Sequence, residues 1–197
     1  MKSKDELKLR EALVEYGIRL VRENLVQGTW GNISARLDND YMICTPSGMD
    51  YLTLSPSDMV KVNIHTLEYD PSENKPTSEK FLHALIYKDN LTAGGIIHTH
   101  STYPCIYAAC NKDMIIDDSV VKDKLGPIFP CAEYGRGGTD KLARNIARAI
   151  TDNNSKGCFM SHHGMVCYGI DLEDAFNNCN LIDSLAKHNI DSFFNKQ

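Results

Sequence analysis

The sequence lacks the features of a secreted, disulfide-bonded or membrane-spanning protein. Its apolar runs all fall short of the roughly 18 residues needed to cross a bilayer. Residues 1–6 have neither the apolar core nor the small-residue cleavage site of a signal peptide. The seven cysteines are odd in number and scattered, and none is part of a C-x-x-C motif, which is typical of reduced core cysteines. We therefore expect a cytoplasmic protein without disulfides.

Excess positive charge, internal repeats and linker-like tracts are absent as well. The chain has 21 Lys and Arg against 26 Asp and Glu, a formal net charge of −5. This balance argues against nucleic acid or an anionic membrane as the main partner. A small anionic substrate is compatible with it, because a metal ion and backbone amides supply local positive potential. With 197 residues and no linker, we expect a single domain over 1–197.

Apolar periodicity predicts a mixture of helices and strands without strict β-α-β order. Helices are expected over 5–26, from about 77, over 102–110, from about 139 to 150 and from 171 to about 194. Strands are expected over 41–45, 60–64, 94–101, 114–116, 128–132, 157–161 and 165–168. The polar segment 117–124 has no clear pattern. The predicted fold class is α/β, a three-layer α/β/α single domain around a mixed, largely antiparallel sheet.

Two histidines lie at the end of the predicted strand 94–101, whose sequence is GGIIHTHS. In an extended strand, His98 and His100 point to the same face because side chains alternate with a period of two. Two neutral imidazoles on one rigid face form half of a zinc site. A hydrogen-bonded polar pair at a strand end is the alternative interpretation of this motif.

A third histidine follows another buried strand, where 157–161 runs into His162, His163 and Gly164. Three imidazoles leave one position open on a tetrahedral zinc ion, which is the arrangement of catalytic sites. His162 is the competing ligand, but strand alternation directs neighbouring side chains to opposite sides. We favour His163, because the glycine after it allows the chain to turn tightly beside a metal.

Three short segments are candidate anion sites. The segment 27–34 is a glycine-bracketed turn that leads into a strand, Ser47 and Gly48 follow a strand, and Thr77 and Ser78 open a helix. Turns and helix N-termini expose backbone N–H groups that suit a phosphate or carboxylate. Each segment taken alone is also explained as an ordinary turn or a helix cap.

Glu79 follows the third anion candidate directly. A carboxylate in the first turn of a helix is explained by the helix dipole. Placed between a bound phosphate and a Lewis acid, the same carboxylate would instead move the proton in the enolisation of a phosphorylated hydroxyketone. His83 on this helix is interpreted as a packing or surface residue, and the loop 135–138 as either an ordinary loop or the border of a cleft.

The ordered motifs GTWGNIS, TPSGMDY, PTSE, HTHS and SHHGMV resemble those of the class II aldolase/adducin-head family of sugar-phosphate enzymes. The resemblance implies that Zn²⁺, or another divalent metal, is bound by His98, His100 and His163. It implies that Glu79 is the general acid/base and a possible fourth ligand when the site is empty. The residues that it implies for binding the substrate phosphate are Thr29, Gly31, Asn32, Ser47, Gly48, Thr77 and Ser78.

The resemblance also implies a cyclic homotetramer with sites near subunit interfaces and a small phosphorylated sugar as substrate. Glu79 favours the aldolase branch, which cleaves a ketose 1-phosphate such as L-fuculose 1-phosphate, because the epimerase branch has Asp there. An ungapped count, however, places Ser119 at the proton-donating tyrosine of the aldolase, and Asp123 at a catalytic Asp of the L-ribulose-5-phosphate 4-epimerases. An epimerase, a dehydratase and a non-catalytic adducin-like binding head therefore stay open as alternatives.

Overall fold

The computed structural model describes residues 3–195 and consists of six α-helices and nine strands among them. The helices are α1 (Lys4–Arg22), α2 (Lys80–Asp89), α3 (Thr102–Cys110), α4 (Ser119–Leu125), α5 (Asp140–Asp152) and α6 (Leu172–Phe194). The strands are β1 (Asn32–Arg36), β2 (Tyr41–Cys44), β3 (Val60–Asn63), β4 (Gly95–Thr99), β5 (Met114–Ile115), β6 (Ile128–Phe129), β7 (Cys131–Ala132), β8 (Gly157–Met160) and β9 (Gly164–Gly169).

A seven-stranded sheet with the order β3-β2-β1-β4-β9-β8-β7 forms the middle of the molecule. Its neighbouring strands run antiparallel except for β7 and β8, which are parallel. Strands β5 and β6 form a separate two-stranded sheet. The central position of β4 places the end of the HTHS strand between β1 and β9. This position brings sequence-distant loops to one edge of the sheet.

Helices cover both faces of the large sheet. Helices α1, α3 and α6 pack on one face, and α2 and α5 pack on the other. Side-chain alternation divides each strand between the two cores: Ile97 of β4 belongs to the core under α1, α3 and α6, whereas Ile96 belongs to the core under α2 and α5. The prediction of a three-layer α/β/α domain around a mixed, largely antiparallel sheet is confirmed.

Two predicted boundaries are wrong. Helix α1 ends at Arg22 rather than near Val26, because Asn24 adopts a left-handed conformation with φ of 58° and turns the chain out of the helix. The predicted strand 128–132 is interrupted at Pro130, which has no N–H to donate to a ladder. Its two halves, β6 and β7, consequently join different sheets.

Two helix starts also differ in detail from the sequence patterns. The unassigned segment 117–124 contains α4, whose N-cap Asp118 accepts a hydrogen bond from the N–H of Val121. The expectation that Thr77 or Ser78 caps α2 is wrong, because Glu79 is the N-cap residue and its side chain accepts no capping hydrogen bond.

All seven cysteines have free thiols, as their scattered positions predict. Among residues 3–195, the helices are too short or too polar to span a bilayer.

Candidate active site

The three predicted histidines converge at the end of β4. The candidate ligand nitrogens of His98, His100 and His163 all lie within 4.8 Å of one another. His98 and His100 reach the cluster from β4 and the residue just after it, and His163 from the turn between β8 and β9. Strands β4 and β9 are neighbours in the sheet, so the pairing itself brings the two histidine motifs together.

Hydrogen bonding fixes the tautomer of His98. Its Nδ1 lies 2.8 Å from the carbonyl oxygen of Met165. Because a carbonyl oxygen only accepts, Nδ1 carries a proton, and Nε2 is the nitrogen left to bind a metal. That Nε2 faces the cluster, 2.8 Å from Nε2 of His100. A backbone carbonyl that orients a ligating histidine in this way is a common feature of metal sites.

His163 and its neighbour His162 point in different directions. His163 contacts Glu79, whereas His162 has a left-handed φ of 56° and lies 3.4 Å from the side-chain amide of Asn111, outside the cluster. The preference for His163 as the third member of the cluster agrees with this geometry. The turn, rather than strict strand alternation, separates the two rings.

The carboxylate of Glu79 lies directly against the histidines. Oε2 is 3.3 Å from Nε2 of His98, and Oε1 is 3.6 Å from Nε2 of His163. Burial raises the pKa of this carboxyl, but His98, a hydrogen bond from Asn32 and His163 together outweigh burial and hold the pKa at about 2. The group is therefore an ionised carboxylate at neutral pH.

The donor set suits a divalent metal ion. Burial lowers the pKa of His163, and it lowers that of His100 to about 3, so both rings are neutral at pH 7 and able to donate a lone pair. Oε1 of Glu79 is buried without a hydrogen-bond partner, which costs free energy unless a cation or substrate binds to it. Three imidazoles and one carboxylate are a favourable ligand set for zinc.

The predicted anion-binding residues line a cleft of about 190 Å³ beside the histidines. This volume is below the roughly 300–1,000 Å³ of drug-sized sites and fits a small polar ligand. The predicted residues in its lining are Thr29, Gly31, Asn32, Ser47, Gly48, Thr77, Ser78, Glu79, His98, His100 and His163. Five segments that are distant in the sequence thus meet in one cleft. A larger cavity of about 470 Å³ lies beside α1 and β3, away from these histidines.

The anion-binding candidates differ in how their polar groups are used. The N–H of Ser47 donates to the carbonyl of Lys75, so its hydroxyl, rather than its N–H, is the group available to a ligand. Thr77 is buried and its hydroxyl accepts a hydrogen bond from the N–H of Glu79, whereas Ser78 is exposed in the cleft. The N-terminus of α2 lies beside Ser78 and adds the positive end of a helix dipole.

Gly31 allows the first anion-binding turn to approach the histidine strand. Its φ is 81°, and a Cβ at this position would lie 2.5 Å from the carbonyl oxygen of His98. Both the backbone conformation and the close approach therefore require glycine. The next residue, Asn32, begins β1 opposite His98. The GTWGNIS and HTHS motifs are thus joined through one strand pair.

Several cleft residues were not identified as site residues from the sequence. Trp30, Pro46, Gly137 and Gly138 belong to the lining, and Trp30 is 60% exposed with its ring centroid 5.8 Å from that of His100. The loop 135–138 therefore borders the cleft. The close approach of Gly137 to His163 decides between an ordinary loop and a cleft border in favour of the cleft border. Sequence spacing does not reveal this approach.

Asp123 and Ser119 lie elsewhere. Both are exposed on α4, and the residues described as lining the cleft include none from that helix. Within one subunit, the structure thus does not bring Asp123 to Glu79 and the histidines. The catalytic role suggested for Asp123 stays a prediction.

Comparisons with known proteins agree with the geometry of the cleft. A model of the family described as Class II Aldolase and Adducin N-terminal domain matches residues 11–190. The 5-deoxy-D-ribulose 1-phosphate aldolase of Bacillus thuringiensis serovar kurstaki is 28% identical over 181 residues, which cover 91% of this chain and 83% of that protein. The L-fuculose phosphate aldolase of Escherichia coli K12 is also 28% identical, with coverage of 91% and 81%.

A solved structure of an L-fuculose 1-phosphate aldolase superposes on the chain with a TM-score of 0.90 at 28% identity. The alignment covers 100% of this chain and 90% of the other. Proteins named aldolases therefore share sequence and fold with this chain along nearly its whole length.

Proposed function

Because this chain belongs to the class II aldolase and adducin N-terminal domain family, we propose that it cleaves a ketose 1-phosphate to dihydroxyacetone phosphate and an aldehyde. The observation that carries this proposal is the position of Glu79. Its carboxylate lies 3.3 and 3.6 Å from two of three clustered histidines and next to the N-terminus of a helix. A proton-transfer group, a metal-ligand set and an anion site therefore lie within one cleft.

His98, His100 and His163 would hold the divalent ion, which we propose is Zn²⁺, with Glu79 as a possible fourth ligand before substrate binds. Imidazole also accepts cobalt, nickel and manganese. When bound, such an ion acts as a Lewis acid that polarises the substrate ketone and stabilises the negative charge of the enediolate.

The cleavage step breaks the bond between the third and fourth carbons of the ketose phosphate. Glu79, which is ionised before substrate binds, would take the proton of the fourth-carbon hydroxyl, the aldehyde leaves, and the electron pair of the broken bond moves into the enediolate. Glu79 then delivers a proton to the third carbon, which completes dihydroxyacetone phosphate. In the condensation direction, the same carboxylate removes that proton.

The phosphate of the substrate would lie in the cleft formed by Thr29, Gly31, Asn32, Ser47, Gly48, Thr77 and Ser78. The exposed hydroxyl groups of Ser47 and Ser78 supply hydrogen-bond donors, and the N-terminus of α2 supplies a positive dipole end. Anchoring the phosphate there would align the ketone with the histidine cluster, since both lie in a cleft of about 190 Å³.

The substrate class that we propose is a deoxyketose 1-phosphate resembling L-fuculose 1-phosphate. Two relatives are named for a 5-deoxy-D-ribulose phosphate and an L-fuculose phosphate. Trp30 supports this choice, because its exposed indole provides an apolar surface near His100. An apolar end of the sugar would contact such a surface more favourably than a hydroxyl would.

We further propose that the enzyme is a cytoplasmic homotetramer whose sites lie near subunit interfaces. The seven free thiols are consistent with a reducing compartment. In such an assembly, Asp123 would act from a neighbouring subunit, since it lies on α4 and outside the cleft of its own chain. Sedimentation analysis of the purified protein tests the assembly directly.

The activity is tested with a panel of sugar phosphates supplied to zinc-loaded enzyme. We expect dihydroxyacetone phosphate, detected with a coupled dehydrogenase, from L-fuculose 1-phosphate or 5-deoxyribulose 1-phosphate. Conversion of L-ribulose 5-phosphate to D-xylulose 5-phosphate, without triose phosphate release, would instead establish the epimerase. A protein that binds no metal and acts on none of these substrates would be a binding head, and the proposal would fail.

A further inference from the structure

Behind the cleft, a continuous chain of hydrogen bonds extends from Glu79 into the protein interior. Asn32 Nδ2 lies 2.9 Å from Glu79 Oε2, and Asn32 Oδ1 lies 2.6 Å from His83 Nε2. His83 Nδ1 lies 2.7 Å from the hydroxyl of Ser34, which is 2.9 Å from the hydroxyl of Tyr87. Each of these residues is buried, and His83 is 0% exposed.

These residues lie on two elements that face each other, strand β1 and helix α2 with its N-cap. Asn32 and Ser34 are two residues apart on β1, so they point to the same face of the sheet. Glu79, His83 and Tyr87 are spaced by four residues along α2, so they form one stripe of that helix. The stripe packs on the face of β1, and each helix residue contacts a strand residue. His83, expected to be a packing or surface residue, is therefore part of a connected polar network.

The direction of each hydrogen bond in the chain follows from chemistry. A carboxylate only accepts, so the amide of Asn32 presents its NH₂ group to Glu79 and its oxygen to His83. His83 Nε2 therefore carries a proton and donates it to that oxygen. In a neutral imidazole the other nitrogen accepts, so Ser34 donates to Nδ1 and accepts in turn from Tyr87.

This ordering makes the two oxygens of Glu79 different. Oε2 accepts from the Asn32 amide, whereas Oε1 is buried without a hydrogen-bond partner and lies 3.6 Å from His163 Nε2. If the Asn32 amide rotated by half a turn, its oxygen would face the carboxylate and repel it. The donor at His83 Nε2 opposes that rotation, because it would then face the NH₂ group.

We propose that His83 is a positioning residue for Glu79, acting through Asn32, and that Oε1 of Glu79 is the oxygen that exchanges the proton with substrate. The inference rests on the proposed aldolase function for its kinetic consequence. This series of hydrogen bonds is not a proton path, since the amide of Asn32 between Glu79 and His83 does not relay protons. Ser34 and Tyr87 hold His83 in the tautomer that the arrangement requires.

Two substitutions of His83 test the role of its donor. His83→Leu removes the donor, and we expect kcat to fall about 10- to 100-fold while KM changes less than about threefold, because misplacing a catalytic group by about 1 Å can cost 10²-fold. His83→Gln keeps an N–H donor near the position of Nε2 and should recover most of kcat. His65→Leu, at an exposed histidine, is the control and should match the wild type.

A second measurement needs neither substrate nor activity. Long-range ¹H–¹⁵N spectra of metal-free protein with ¹⁵N-labelled histidine should show His83 as the neutral tautomer protonated at Nε2. Tyr87→Phe, which removes the last donor, should leave the fold intact and increase the population of the other tautomer. These spectra remain informative if His83→Leu fails to fold or if no ketose phosphate is cleaved.

The outcomes separate the two proposals. An Nδ1-protonated His83 in the wild type would overturn the positioning proposal, as would a folded His83→Leu variant with unchanged kcat. A His83→Gln variant that folds but is as slow as His83→Leu would also overturn it. Absence of aldolase activity in wild-type protein with the expected tautomer would overturn the proposed reaction and leave the hydrogen-bond assignment in place.

Discussion

Asn32 and His98 lie directly opposite each other in the antiparallel pair of β1 and β4. Asn32 binds Glu79 through its side-chain amide, and His98 contacts the same carboxylate oxygen through its imidazole. The register of one strand pair thus places the Asn32 amide and the His98 imidazole against the same carboxylate oxygen. If one of the two strands slipped by one residue, its side chain would turn to the opposite face of the sheet, away from its partner.

Separate substitutions of His163 and His162 test which of these two adjacent histidines belongs to the metal-binding cluster. His163→Asn removes one of the three clustered imidazoles. We expect zinc affinity to fall by more than the roughly 10–100-fold that is typical of losing a group that orients a metal ligand by a hydrogen bond. His162→Asn is the matched control, since asparagine tolerates the left-handed conformation found there. Competition with a chromophoric chelator measures both affinities. Equal effects of the two substitutions would contradict the assigned ligand set.

Glu79→Gln tests the acid/base role while it preserves the size of the side chain. We expect kcat to fall by about 10²–10⁴-fold, the usual contribution of general acid/base catalysis. Bound zinc should remain, since the three histidines are intact. Steady-state kinetics and metal analysis of the same preparation provide both values, and Glu11→Gln, at an exposed position on α1, is the control. A variant as active as the wild type would exclude Glu79 as the proton-transfer group.

Gly164→Ala tests the packing of the turn against the histidines. A Cβ there would clash with the carbonyl oxygen of Thr99 and lie 3.0 Å from Cδ2 of His100. We expect unfolding free energy to fall by about 1–3 kcal/mol, as for other overpacked sites, and zinc affinity to weaken. Gly28→Ala is the control for overpacking, because its φ of 58° costs backbone strain but the space around its Cβ position is open. It should keep the zinc affinity of the wild type.

Stability should depend on pH through His83. Burial lowers the pKa of His83 in the folded protein to about 3, against about 6.5 in an unfolded chain. Between these values the unfolded chain binds a proton that the folded chain does not, so stability decreases as pH falls below 6.5, by roughly 1.4 kcal/mol per pH unit. Above pH 6.5 both states are neutral at this residue, and its contribution is constant.

Urea unfolding of metal-free protein at pH 7.5 and pH 5 measures this dependence. The wild type should lose about 2 kcal/mol more than His83→Gln over this interval, from the pKa difference at that one residue. Titration of His100 and other groups is common to both proteins and cancels in the comparison. Parallel losses in the two proteins would show that His83 is not held neutral by folding.

Much of the site was predictable because local spacing determines it. Alternation along β4 places His98 and His100 on one side, and the polar residues at 77–79 mark the beginning of a helix. The five motifs in order predicted the family and the α/β/α fold, and both are confirmed. The cap of α2 was predicted wrongly. The break at Pro130 was not predicted, although the missing N–H of proline is a local signal.

Motifs and side-chain periodicity are local properties, and they indicated most of the residues that line the cleft, although not Trp30, Pro46, Gly137 or Gly138. How these residues combine depends on the tertiary structure. Strand order places β4 between β1 and β9, and the packing of α2 on β1 connects Glu79 through Asn32 to His83. Asp123 lies on an exposed helix outside the cleft. The physical reason is that these relations depend on long-range strand pairing and helix packing, which residue spacing does not specify.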